Sequence, residues 1–257
     1  MKFVNLVDNT EPLILHVNGK NRTIAQDERF YKPIIESGAV NIPPNLSILT
    51  CATTDPDLLS KSPLVKQLEY NNIDYTNVGK NHKGAWKNLL KLKYLVEYFN
   101  STSIGTDYVC FLDSADVLLS EDFNTILDRF TKLNLDLLWG SQMYNWPQSR
   151  NNLKPTELEK SRSKYINRFL CSGVAIGKTK VFEKFIRIAY EDIDYETNIW
   201  NSDQYEIKKT FNRLYSTLNI DYDFTSNISY SPALFYINNK LLYSQEGNKL
   251  IFKKNNL

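Results

Sequence analysis

The chain of 257 residues lacks the features that mark secreted, disulfide-rich or membrane-spanning proteins. Its three cysteines are an odd number and too few for a disulfide framework, so we expect Cys51, Cys110 and Cys171 to be reduced core residues. The N-terminus has no apolar stretch of roughly 7–15 residues, as a signal peptide requires, and no run approaches the ~20 apolar residues of a membrane span. These absences predict a soluble protein in a reducing compartment, the cytoplasm of its own cell or of a host.

An excess of charge of either sign is also absent. The 31 basic and 29 acidic side chains leave a net charge of +2, and outside the tail 252–256 there is no dense block of Lys and Arg. Nucleic acid is therefore not expected as a main partner. The 42% of hydrophobic residues, among them many aromatic ones, are enough to fill one sizeable core.

Strand-like and helix-like segments alternate through most of the chain. Strands are predicted at 47–53, 74–78, 108–112, 135–141 and 169–177, and helices at 58–68, 86–99, 123–133, 180–191 and 203–213. This alternation predicts an α/β fold with a mostly parallel open sheet flanked by helices, and places ligand chemistry at the carboxyl ends of the strands. Short apolar runs between 215 and 243 predict small antiparallel strands near the C-terminus.

Two carboxylates follow the buried strand predicted at 108–112. Asp113 and Asp116 are three positions apart where the apolar run ends, so both side chains can turn toward one point. Such a pair is costly unless a cation joins it, and Mg²⁺ or Mn²⁺ would complete its shell with water and phosphate oxygens. The pattern favours a divalent metal that binds together with a diphosphate. The alternative is a strand-end turn in which Asp113 caps the next segment and Asp116 is solvated.

Four short motifs succeed one another in the chain. They are the aspartate-containing strand end 111–117, the Trp-Pro pair 146–147, the aromatic-Leu-x-Ser-Gly stretch 169–173 and the Asp-Gln pair 203–204. In order and spacing they resemble the glycosyltransferase domains of the procollagen galactosyltransferase and lysyl hydroxylase (PLOD) type, and the resemblance covers 47 to about 245. It implies a GT-A-like fold that uses a UDP-sugar with Mn²⁺.

The resemblance also implies which residues meet the donor. A uridine site is implied at the end of the first strand, where small and hydroxyl side chains let a nucleoside lie against the backbone; ordinary strand residues are the alternative. Lys87, at the start of a predicted helix, is implied to face the diphosphate, although a helix lysine is more often solvated. Ser172 and Gly173 would allow close approach of the donor sugar, or serve only for packing. The implied donor contacts are Thr50, Ala52, Thr53, Lys87, Ser114, Trp146, Ser172 and Gly173.

Catalytic roles are implied for the Asp-Gln pair. Asp203 would reach the sugar and acceptor side of the metal, as a base or as a carboxylate that stabilises an oxocarbenium-like centre, with Gln204 in support. Helix capping is the alternative for Asp203. The ring of Trp146 would stack on a pyranose, or else belong to the core. Gln142 stands where the animal enzymes have an acidic residue, and this departure leaves the donor sugar and the acceptor open.

In this family a histidine in a His-Gly-Asn-Gly-like segment at the C-terminal end completes the metal shell. The C-terminal part of this chain contains no histidine. Instead, His16 follows a strand-like run near the N-terminus and precedes Asn18, Gly19 and Lys20, whose turn could face phosphate. We therefore predict one domain, 1–257, that is circularly permuted relative to the family. In it, 1–40 folds back onto a core at 46–245. The alternative is that His16 belongs to a remnant of a preceding domain.

Together these expectations predict that the protein transfers a hexose, glucose or galactose, from a UDP-sugar to a hydroxyl acceptor. The acceptor is a protein or glycan; the family's own substrate is a collagen-like chain with hydroxylysine. A catalytically silent sugar-nucleotide-binding domain is the alternative from a different class. A metal-dependent phosphohydrolase with Asp113 as nucleophile would leave the Ser-Gly and Asp-Gln motifs unexplained.

Overall fold

The structure is a computed structural model that describes residues 1–6, 9–17, 25–37, 40–51, 61–147, 159, 161, 163–194, 201–232, 236–237, 240–241 and 243–252. The helices of this part are α1 (Glu28–Ile35), α2 (Pro63–Tyr70), α3 (Leu90–Ser101), α4 (Phe123–Lys132), α5 (Thr179–Glu191) and α6 (Asp203–Leu214). Its strands are β1 (Lys2–Asn5), β2 (Ile14–His16), β3 (Leu46–Cys51), β4 (Thr76–Asn77), β5 (Tyr108–Asp113), β6 (Val117–Leu119), β7 (Leu137–Gln142), β8 (Phe169–Lys178), β9 (Ile220–Tyr222), β10 (Ser229–Tyr230), β11 (Tyr236–Ile237), β12 (Lys240–Leu241), β13 (Tyr243–Glu246) and β14 (Lys249–Phe252).

A six-stranded sheet forms the centre, in the order β4-β3-β5-β8-β7-β9. The pairs β3–β4, β3–β5 and β7–β9 are parallel, whereas β8 is antiparallel to both of its neighbours. The other five strands therefore share one direction. The prediction of an α/β fold with a mostly parallel sheet is confirmed, and β8 is the strand that departs from it.

Helices cover both faces of the central sheet. Side chains alternate along each strand, so one strand contributes to the core on each face. In β5, Cys110 and Leu112 join a core with α2 and α4, while Val109 and Phe111 join a second core with α3, α5 and α6. All four side chains are at most 1% exposed. Burial on both faces is what the continuous apolar run of this strand predicts, and it holds the end of β5 rigidly in the middle of the sheet.

The N-terminal residues pack against the C-terminal ones. Strand β1 pairs in parallel with β14, and β2 lies between β10, to which it is parallel, and β6, to which it is antiparallel. A third core unites the two ends of the chain, with Phe3, Leu15, Tyr230 and Phe252 all buried in it. Strand β2 is thereby fixed beside β6, which directly follows the Asp113–Asp116 turn.

Most predicted elements lie within a few residues of their observed bounds, but α3 begins at Leu90 rather than at 86. Gly84, just before the predicted start, has a φ of +98°, which is incompatible with a helix, and the amides of Leu90, Lys91 and Leu92 form i→i+3 hydrogen bonds, so the first turn of α3 is 3₁₀-like. Of the small antiparallel strands predicted between 215 and 243, β11 and β12 do pair in antiparallel fashion, whereas β9 is parallel to β7 and β10 is parallel to β2. Among the helices described, none combines the length and apolar character needed to cross a bilayer.

Candidate active site

The carboxyl end of β5 holds the centre of the candidate site. Asp113 is the last residue of this strand, and the turn 114–116 leads directly into β6. Strand β2 runs antiparallel to β6 with His16 opposite Val117, and the Val17 amide donates to the Asp116 carbonyl at 2.8 Å. The register of this pairing brings the His16 side chain to the two aspartates.

The three side chains form a compact group. His16 Nε2 lies 3.2 Å from Asp116 Oδ1 and 3.9 Å from Asp113 Oδ2, and one ligand atom of each residue lies within 4.8 Å of the others. The His16 and Asp116 side chains are 4% and 11% exposed, whereas that of Asp113 is 25% exposed. The group is thus closed on the protein side and open beside Asp113.

A divalent cation fits this group chemically. Within the described part of the chain, Asp116 Oδ1 is buried without a hydrogen-bond partner, although His16 Nε2 is close, and an unsatisfied buried carboxylate oxygen is costly. Two carboxylates and one imidazole nitrogen are ligands that Mn²⁺ accepts, with open positions left for water or substrate. The residues His16, Asp113 and Asp116 can therefore hold a metal ion.

The other side of the His16 ring contacts strand β8. Its Nδ1 lies 3.0 Å from Cys171 Sγ. Burial alone would lower the pKa of His16, but Cys171 and Asp116 outweigh it and raise this pKa well above the ordinary value. Burial would raise the pKa of Cys171, but the neighbouring imidazole lowers it below its usual value. A Cβ on Gly173 would lie 2.1 Å from His16 Cε1, so the imidazole takes the space that was expected to admit a donor sugar.

Lys91 links the group of His16, Asp113 and Asp116 to the Asp-Gln motif. Its Nζ lies 2.7 Å from Asp113 Oδ1 and 2.9 Å from Asp203 Oδ2, and its side chain is 7% exposed. Burial would lower the pKa of Lys91, but the two carboxylates raise it well above its ordinary value. Lys87, which the family resemblance implies to face the diphosphate, is exposed and lies one helical turn earlier, before α3 begins. The position of Lys91 in the helix is the sequence feature that could have identified it, because Lys91 lies on the same apolar face of α3 as Leu95.

Asp203 and Gln204 begin α6, whose N-cap is Ser202. Asp203 is therefore not the capping residue, and its side chain is 4% exposed beside Lys91. Gln204 Nε2 donates to the Trp146 carbonyl at 2.9 Å, and its Oε1 accepts from the Ser172 amide at 3.4 Å. The Asp-Gln pair thus reaches both Lys91, which contacts Asp113, and the Trp-Pro motif.

Trp146 is 51% exposed and so is not a core residue. Its peptide bond to Pro147 is cis, and the preceding Asn145 accepts a hydrogen bond from Lys208 Nζ at 2.6 Å. Lys208 also forms an ion pair with Glu159 at 3.2 Å, and both side chains are fully buried. The backbone of the Trp-Pro motif is therefore held from α6, while its indole faces solvent.

Two of the expected donor contacts use their hydroxyl groups inside the protein. Thr50 is fully buried, and its Oγ1 donates to the Leu112 carbonyl at 2.7 Å, joining β3 to β5. Ser114 Oγ donates to the Cys51 carbonyl at 3.4 Å. The remaining expected contacts Ala52, Thr53, Asn18, Gly19 and Lys20 lie outside the described residues.

Fold and site together define an α/β protein whose chemistry lies at the carboxyl ends of its central strands. The family model of the PLOD glycosyltransferase domain matches residues 43–230, and the chain therefore belongs to this family of glycosyltransferase domains. The match contains Asp113, Asp116 and Asp203 but not His16. A comparison with curated proteins found no match.

Solved glycosyltransferases are similar to the chain at low identity. One is involved in the glycosylation of the major capsid of PBCV-1; it is 14% identical, with 74% of this chain and 83% of that chain covered and a TM-score of 0.39. Another is the apo structure of WbbM, a bifunctional glycosyltransferase, at 15% identity and a TM-score of 0.41. That likeness covers 72% of this chain, which spans 40% of the length of the WbbM chain.

Proposed function

We propose that the protein is a metal-dependent glycosyltransferase that moves a hexose from a UDP-sugar to a hydroxyl acceptor. The observation that carries the proposal is the group His16, Asp113 and Asp116, which lies at the strand ends of a glycosyltransferase-family domain and opens to solvent beside Asp113. Sugar donors of this kind carry a diphosphate, and a site that holds a divalent cation can bind it.

Each ligand of the proposed metal site has a distinct setting. Asp113 comes from the end of a rigid central strand, Asp116 from the turn after it, and His16 from β2. Mn²⁺, when bound, would supply positive charge against the diphosphate leaving group. The protein's part is to hold the three ligand atoms within 4.8 Å of one another before the donor arrives.

Lys91 is the second source of positive charge in the proposed site. Its ammonium group is held between Asp113 and Asp203, so it stands between the metal-ligating group and the proposed catalytic carboxylate. A buried ammonium with a raised pKa stays charged at neutral pH. We assign to Lys91, in place of Lys87, the role of stabilising negative charge on the donor.

Asp203, Gln204 and Trp146 form the proposed sugar and acceptor side. Asp203 is a buried carboxylate that can accept a proton from an acceptor hydroxyl or stabilise a cationic sugar centre. Gln204 bonds the carbonyl of Trp146, whose exposed indole offers a face for stacking on a pyranose. UDP-glucose and UDP-galactose are the proposed donors, and a protein or glycan, including a hydroxylysine-containing collagen-like chain, is the proposed acceptor.

The N-terminal segment 1–40 is proposed to be the family's closing segment in a circularly permuted position, within one domain that spans 1–257. Support comes from β2, which lies beside β10, where the family match ends, and carries a histidine to the two aspartates. The parallel pairing of β1 with β14 shows that residues near both ends of the chain lie side by side, as permutation requires.

The proposal is tested by incubating the full chain with Mn²⁺ and UDP-glucose or UDP-galactose and measuring UDP release, with and without a hydroxylysine peptide. Asp113→Ala and Asp116→Ala should abolish release, whereas Asp128→Ala, on the exposed side of α4, should leave it unchanged. Unchanged turnover in the first two variants would refute the metal site. Donor binding without release under any condition would identify the silent sugar-nucleotide-binding domain instead.

A further inference from the structure

We propose that Cys171 is a positioning residue for His16, which fixes the imidazole so that Nε2 faces Asp113 and Asp116. The inference rests on the proposed metal site and adds a residue outside its ligand set. Metal-bound histidines usually donate their second ring nitrogen to a carboxylate, a carbonyl or water. Here the partner of that second nitrogen is a thiol.

The contact is built from buried groups. His16 is 3% exposed and Cys171 1% exposed, and Sγ lies 3.0 Å from Nδ1. Ser231, which is 2% exposed, donates from Oγ to the same sulfur at 3.6 Å. Because this hydroxyl and the imidazole approach the sulfur from two other segments, the thiol has little freedom to leave the ring.

Gly173 completes the seat of the imidazole. A Cβ at this position would lie 2.1 Å from Cε1, 2.6 Å from Nε2 and 2.8 Å from Nδ1 of His16, so a side chain there would displace the ring. The ring therefore lies against the β8 backbone with Sγ at one nitrogen. Rotation about the Cβ–Cγ bond would break the sulfur contact and turn Nε2 away from the aspartates.

The position of β8 explains why a cysteine can serve in this way. Cys171 Sγ and the space beside the Gly173 Cα both adjoin the His16 ring, in the part of β8 where its register with β7 shifts. The sequence predicts that the aromatic-Leu-x-Ser-Gly motif contacts the donor sugar. In this proposal, the motif also positions the ring of His16, a proposed metal ligand. That role concerns the x position, Cys171, and the final glycine.

The test compares the Mn²⁺ affinity of the full chain and of two variants, measured by the free-Mn²⁺ electron paramagnetic resonance signal. We expect Cys171→Ala to weaken Mn²⁺ binding by about 10–100-fold, the usual cost of losing such a partner, and Cys171→Ser to recover part of the loss. Cys110→Ser is the matched control. Cys110 is equally buried in the adjacent strand β5, but it belongs to the core formed with α2 and α4. Wild-type affinity in Cys171→Ala would overturn the proposal.

A second measurement, of the histidine ring signals, needs no metal and can still be made if a variant is less stable than the wild type. The chain has two histidines, so ¹⁵N-histidine labelling gives ring signals of His16 and His82 alone, assigned with His82→Gln. Cys171→Ser should shift the Nδ1 signal of His16 and leave that of His82, which bonds Tyr94, unchanged. An unchanged His16 signal would overturn the proposal.

The same measurements separate this inference from the proposed function. Mn²⁺ binding by the wild type that is lost in Asp116→Ala but retained in Cys171→Ala would refute the role of Cys171 and leave the metal site standing. Absence of Mn²⁺ binding by the wild type would refute both.

Discussion

His16 Nε2 lies 3.2 Å from Asp116 Oδ1, although the family match contains Asp116 and begins after His16. The contact depends on β2, whose backbone pairs with β6 on one side and β10 on the other. A residue from outside the matched region is thus in position to act with one inside it. The proposed function makes the N-terminal segment part of the active site, and this can be tested directly.

His16→Ala should reduce Mn²⁺ affinity by at least tenfold, which corresponds to about 1.4 kcal/mol of binding free energy. The variant loses one of the three proposed ligands and the ring nitrogen that faces both carboxylates. Isothermal titration calorimetry with Mn²⁺ measures the change, and UDP release should fall in parallel.

His82→Ala is the control for that prediction. His82 makes its ring hydrogen bonds to Tyr94 Oη and the Gly84 carbonyl and contributes nothing to the metal-ligating group. Its variant should bind Mn²⁺ as the wild type does. Equal Mn²⁺ affinities of the two alanine variants would show that His16 is not a ligand and that 1–40 does not complete the site.

Replacing Lys91 should impair turnover far more than replacing Lys87. Lys91→Met removes the ammonium group between Asp113 and Asp203, and we expect kcat to fall by about 10²–10³-fold, as when a charge-stabilising donor is lost. Lys87→Met changes an exposed residue and should keep kcat within about twofold. Steady-state UDP release measures both, and circular dichroism establishes that the fold is retained. Comparable losses in the two variants would contradict the assignment of Lys91.

The difference between these lysines shows what the sequence predicts and what it does not. Asp113 and Asp116 follow an apolar strand, so the pattern alone places them at a sheet edge. A lysine within an amphipathic helix is ordinarily expected to be solvated, and only the packing of α3 against β5 and α6 reveals that Lys91 is buried. The direction of β8 was also unpredictable, because an apolar run is the same for a parallel and an antiparallel strand.

Gly173 illustrates a motif whose position was predicted and whose contact was not. A glycine among buried strand residues indicates a close approach, but it does not identify the approaching group. The group is the His16 ring, which comes from far away in sequence and whose position depends on the pairing of β2 with β6. Three-dimensional register, absent from any local pattern, decides the role of this residue.

Gly173→Ala should therefore weaken Mn²⁺ binding at least tenfold, because the added methyl group displaces the imidazole. Gly177→Ala is the matched control on the same strand: its Cβ would lie 2.8 Å from the Asp136 carbonyl and 2.8 Å from a Leu137 methyl carbon. It should lower stability through overpacking, by roughly 1–3 kcal/mol, without changing Mn²⁺ affinity. Urea unfolding and Mn²⁺ titration of both variants separate the effects. Undiminished Mn²⁺ binding by a folded Gly173→Ala protein would contradict the seat described for His16.

The buried ion pair of Lys208 and Glu159 should behave as a coupled unit in a double-mutant cycle. Both side chains are fully buried, and Lys208 Nζ also bonds Asn145, next to the exposed Trp146. Burial lowers the pKa of Lys208 and raises that of Glu159, and their mutual attraction partly offsets both changes. Removing one partner therefore leaves the other as a buried charge without its counter-ion.

Glu159→Gln and Lys208→Met should each lower the free energy of unfolding by about 3–5 kcal/mol, and the double variant should lower it by less than their sum. Urea denaturation measures the four corners of the cycle. The exposed pair Asp128 and Lys132 is the control, with an expected coupling under about 1 kcal/mol. Because Lys208 holds the backbone that presents Trp146, Lys208→Met should also raise the KM for the sugar donor or the acceptor. Strict additivity of the two single variants would show that the pair is not a coupled unit.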